Sequence, residues 1–117
     1  MNGVLMNVFL NAVCAPLGFR AAGVACGLKA KDQPDLAVII SDRPASASGL
    51  FTTNLICGAP VIVTRRHLRT SSSHMRAVVV NAGNSNACTG ARGEADAKEM
   101  CRLVTDGLGC GPSEGRS

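Results

Sequence analysis

Residues 77–93 read AVVVNAGNSNACTGARG, which crowds Asn81, Asn84, Asn86, Cys88, Thr89 and three glycines between an apolar run and the acidic stretch EADAKEM. A thiol just ahead of a helix start is stabilised as thiolate, which makes Cys88 a candidate nucleophile. Such chemistry also needs a base, and the only histidines are His67 and His74. Residue type favours a buried structural thiol for Cys88 over a nucleophile. Thr89 and Gly90 offer a hydroxyl and a backbone donor near the same helix start, the outline of an oxyanion site. The competing assignment is an N-cap, in which the Thr89 oxygen accepts a backbone N–H for about 1 kcal/mol, and it is the favoured one. Asn81, Asn84 and Asn86 are expected to hold the turn through side-chain to backbone hydrogen bonds.

Two nucleotide readings fail on spacing. The phosphate loop GxxxxGK[ST] needs glycine where Cys88 stands, and Gly83, Gly90 and Gly93 do not supply GxGxxG. Cys57, His67, His74 and Cys88 lack the short paired spacing of a zinc site, so no metal ligands are expected. The residues alone yield no catalytic set.

An α/β alternation positions this loop. Phe19–Val24 and Leu36–Ile40 read as strands about the polar turn Lys29–Pro34, and Asp42-Arg43-Pro44 is expected to close the second. The continuous apolar run Leu36–Ile40 predicts cover on both faces. Gly49–Thr53 reads as a third strand and Pro60–Thr64 as a fourth, followed by a short helix over Arg65–Arg69. Thr70–His74 reads as a surface loop, and Ala77–Val80 as a fifth strand and the most buried. Ala97, Met100, Cys101, Val104 and Leu108 recur at helical spacing. Glu94 and Asp96 are expected in that helix's first turn, with Gly107 and Gly109 as its stop.

At 117 residues with 46% hydrophobic and 17% charged content, the chain fits one modest core built from aliphatic side chains. A net charge of +4 does not argue for nucleic acid. The Arg65, Arg66, His67, Arg69 cluster has no aromatic neighbour in sequence for base stacking and reads as a solvated helix face. Six cysteines at wide, irregular gaps read as reduced small hydrophobes rather than a disulfide framework. The opening MNGVLMNVFLNAVCAP has no basic start and is broken by asparagines, so neither a signal peptide nor a membrane span is expected. Cytoplasmic placement follows.

Four stretches, in order, carry a resemblance: APLGFRAAGVACGLK (15–29), DLAVIISDRPASASGLFTTN (35–54), APVIV (59–63) and VVVNAGNSNACTGARGEADAKEM (78–100). Together they resemble the ornithine acetyltransferase family, the glutamate N-acetyltransferases of arginine biosynthesis. The resemblance implies a mixed-sheet portion of a layered αββα-type α/β fold, incomplete in these residues. It implies an enzyme that moves acetyl from N-acetylornithine to glutamate, with acetyl-CoA a further donor in some members and no bound cofactor. It also implies a precursor that cleaves itself before a threonine, the freed threonine acting as nucleophile with its own amine as base. The two resulting chains remain together, and the intact enzyme is expected to be an oligomer.

The family's oxyanion threonine–glycine pair lies in an STGVIG-type motif and its nucleophile in a PNMATML-type motif, and neither occurs in these residues. Thr89-Gly90 matches the pair in letters only, and the resemblance gives Cys88 no role. Residues 1–14 are expected to be a poorly defined extension, 15–112 the N-terminal part of the acetyltransferase domain, and 113–117 a divergent tail. No catalytic, cofactor-binding or metal-binding residue is therefore expected here, and the chain is expected to be an inactive fragment. The alternative is a non-catalytic scaffold or interaction protein that docks on a full-length partner.

Overall fold

The computed structural model describes residues 13–30 and 32–109. The 113–117 tail, most of the 1–14 extension and Cys110 lie outside the described residues. The element order is β1 (Phe19–Val24), β2 (Leu36–Ala45), α1 (Ala59–Ser71), β3 (Met75–Asn81) and α2 (Gly90–Leu108). The α/β class expected from sequence holds. The three strands form one sheet in the order β1-β2-β3, antiparallel at both junctions.

β2 is the middle strand. Ala21 faces Ile39 and Ala22 faces Val38 on one side, while Val79 faces Val38 and Ala77 faces Ile40 on the other. Asp42-Arg43-Pro44 does not close β2, which continues to Ala45. The register breaks between Ile40 and Ala45, so Pro44 sits in an irregular stretch where no ladder donor is demanded. Leu36–Ile40 is half-buried rather than covered on both faces.

Two predicted strands are not strands. Pro60–Thr64 forms the first turns of α1, which runs from Ala59 to Ser71 and absorbs both the Arg65–Arg69 helix and the start of the predicted loop. Proline in a helix's opening turn loses no hydrogen bond. The β-branched run that suggested a strand instead places Val63, 2% exposed, against Ala97 and Cys101 of α2. Gly49–Thr53 has no regular structure. Phe51 folds back over Gly49, whose Cβ, if present, would lie 2.8 Å from the ring, and the segment finds no ladder partner.

β3 holds two buried residues but is not covered along its length. It lies at an edge of the sheet, and its side chains alternate: Met75 and Ala77 are buried, while Val78 and Val80 are 48% and 51% exposed. Val79 packs on the cluster of Val63, Ala97 and Cys101, so the helices cover the Val79 face of the sheet. On the opposite face Ala21 is buried, whereas Phe19, Val78 and Val80 are exposed.

α2 presents the expected stripe, with Ala97, Cys101 and Thr105 buried and Met100, Val104 and Leu108 half-buried. Its stop is Gly109, at φ 64°, whose N–H donates to the carbonyls of Asp106 and Thr105. Because the helix begins at Gly90, Glu94 and Asp96 fall beyond the first turn. Instead of facing the helix dipole they join side-chain pairs: Glu94 with Arg66 of α1 at 3.3 Å and Lys98 at 3.9 Å, and Asp96 with Arg92 at 3.9 Å. Arg102 holds Glu99 through two hydrogen bonds of 2.6 and 2.7 Å and also meets Asp106. That fork lowers the Glu99 carboxyl's affinity for a proton. These pairs are solvent-exposed and contribute little to stability.

Candidate functional site

The chain from Asn81 to Gly93 is organised by its asparagines, as their residue type predicts. The Asn81 amide donates to the Asn84 carbonyl at 3.3 Å, and the Asn84 side-chain oxygen accepts the Asn86 N–H at 3.1 Å. Asn86 is the hub. Its amide nitrogen donates to the Gly93 carbonyl at 2.8 Å, and its side-chain oxygen accepts the Thr89 hydroxyl at 2.5 Å. The backbone there is tight, with Asn86 at φ 47° and Cys88 at φ 57°. Asparagine tolerates that region better than most residues, because its short polar side chain bonds locally.

Thr89 occupies the N-cap position of α2, but its hydroxyl does not cap the helix. It donates to Asn86 instead of accepting a helix N–H. A hydroxyl committed in this way is not free to donate to an oxyanion. Gly93 completes the lock, since a Cβ there would lie 1.8 Å from Thr89 Oγ1 and 2.5 Å from Asn86 Oδ1. Only a residue without a side chain fits under the Asn86–Thr89 bond.

Sequence reasoning missed a second organiser, Asp35. It is 3% exposed, and its carboxylate accepts the backbone N–H of Cys26 at 2.7 Å, Leu28 at 2.6 Å and Lys29 at 2.9 Å. The Cys26 N–H and then the Lys29 N–H hold this carboxyl far below the usual carboxylate range, against the opposing effect of burial. The same carboxylate pushes the Cys26 thiol pKa up, first through a hydrogen bond and then together with burial. The Asp35 main chain also reaches the Asn/Gly loop, because its carbonyl accepts the Ala82 N–H at 2.8 Å. Gly83, at φ 105°, packs so closely that an added Cβ would stand 3.1 Å from the Leu28 carbonyl oxygen. Asn86 joins the third segment, its carbonyl accepting the Ala59 N–H at the start of α1 at 3.1 Å. The available signal was an acid, Asp35, set directly against an apolar strand after a polar turn.

Cys88 does not meet His74. Cys88 is exposed, not the buried structural thiol expected, because its left-handed backbone lies at the loop surface. His74 precedes β3 whereas Cys88 follows it, so the strand separates them, and His74 Nδ1 pairs with Ser73 Oγ at 2.7 Å. The described cysteines are all free thiols, and only Cys101 is buried. Among the described residues no group of three or more His, Cys, Asp or Glu is placed to hold a metal ion. No described helix is long and apolar enough to cross a membrane. In the arginine cluster, Arg65 does have an aromatic neighbour: it stacks on Phe51 at 5.2 Å and donates to the Thr52 carbonyl at 3.1 Å. That ring is already occupied by a cation of the same chain.

The arrangement is a scaffold of three interlocked segments at one end of the sheet. The profile of the ArgJ family matches residues 20–115. The arginine biosynthesis bifunctional protein ArgJ of Rhodopirellula baltica is 47% identical over 95 residues, which cover 81% of this chain and 23% of that protein. Its namesake in Symbiobacterium thermophilum is 44% identical over 109 residues, covering 92% of this chain and 27% of that protein. The chain thus spans about a quarter of the length of the curated relatives it matches. Among solved structures, ArgJ of Bacillus halodurans superposes with a TM-score of 0.79 at 34% identity, over 85% of this chain and 51% of that one. Ornithine acetyltransferase of Mycobacterium tuberculosis, solved with ornithine, gives 0.74 at 41% identity, over 89% and 54%. With most of its length matched in sequence and its strands and helices matched in space, the chain belongs to the ArgJ family.

Proposed function

We propose that this chain is the N-terminal scaffold part of an ornithine acetyltransferase of arginine biosynthesis. The whole enzyme moves acetyl from N-acetylornithine to glutamate, with acetyl-CoA as a further donor where the member is bifunctional. Its nucleophile is a threonine freed by self-cleavage and lies outside these residues. The two chains of the cleaved precursor stay associated. In this reading residues 15–112 form the N-terminal part of the acetyltransferase domain and contribute no catalytic group. The observation that carries the proposal is the family match over residues 20–115, joined to a loop whose one threonine hydroxyl is spent on Asn86. Purified chain mixed with N-acetylornithine and glutamate is expected to give no turnover above buffer, and no acetyl-threonine by mass spectrometry. Turnover near that of a relative's intact enzyme contradicts the assignment.

A second reading is a non-catalytic protein that docks on a full-length family member. Phe19, Val78 and Val80, exposed on one face of the sheet, favour it. It predicts a shift to larger size in gel filtration when a full-length relative is added. A monomer peak unmoved by that addition removes this reading.

A further inference from the structure

We draw no further inference here: the strongest candidate, the apolar sheet face of Phe19, Val78 and Val80 opposite the helices, is an unpartnered surface and nothing in the structure shows what covers it.

Discussion

Replacing Asp35 by alanine is expected to lower the chain's melting temperature by roughly 10 °C or more, followed by circular dichroism. The substitution removes the acceptor of three backbone N–H groups at once and unties the turn at Cys26, Leu28 and Lys29 from the start of β2. A charged acceptor makes each of these bonds stronger than a neutral one would. The pH dependence has a definite sign. The folded carboxyl is held below its ordinary value of about 3.9, so its contribution is complete above about pH 4 and is lost as the pH falls from there. Asp35→Asn has nothing to protonate and should show a flatter stability profile below about pH 4 than the parent. Equal acid sensitivity in the two proteins would remove Asp35 from this role, as would an Asp35→Ala melt within a degree or two of the parent.

Gly93→Val should cost about 3 kcal/mol, at the upper end of what overpacking a fitted site incurs. The first added carbon alone would sit 1.8 Å from Thr89 Oγ1 and 2.8 Å from Thr89 Cβ. Relief requires breaking the Thr89–Asn86 hydrogen bond, and with it the bond from Asn86 to the Gly93 carbonyl. Helix propensity works the other way, since alanine is favoured over glycine within a helix by about 1 kcal/mol. Gly93→Ala is therefore the milder variant. Adding Thr89→Gly to Gly93→Ala should recover part of the loss, because two of the three closest contacts belong to Thr89. Urea denaturation of the parent, the single variants and the double variant reads these terms directly. A Gly93→Val protein as stable as the parent contradicts the packing described.

Local pattern carried β1, the start of β2 and the stripe of α2, because periodicity and burial coincide there. It failed at Pro60–Thr64, where Val61, Ile62 and Val63 favour a strand and tertiary packing of Val63 on α2 decides for a helix. It failed at Val78 and Val80 because an apolar run announces burial without saying how many faces are covered. The asparagine turn was legible, since residue type and spacing both point to local hydrogen bonds. The direction of the Thr89 bond was not, because an N-cap and a hydroxyl donor share the same letters. Asp35 stood out only as an acid ahead of an apolar strand, and its role was illegible because its partners are main-chain amides, which every sequence contains. The family was legible because the motifs of residues 35–54 and 78–100 are long and ordered, a property no single candidate residue has.

The short connection between β1 and β2, clamped by Asp35, contrasts with the long excursion through α1 that must precede the pairing of β3. Closing a short loop costs less chain entropy than closing a long one, so the first hairpin is the natural nucleus of folding. The later strand and both helices then condense on it. φ-values well above those at Val79 when Ala22 and Val38 are truncated would be the kinetic signature of that order, and the reverse ranking would refute it.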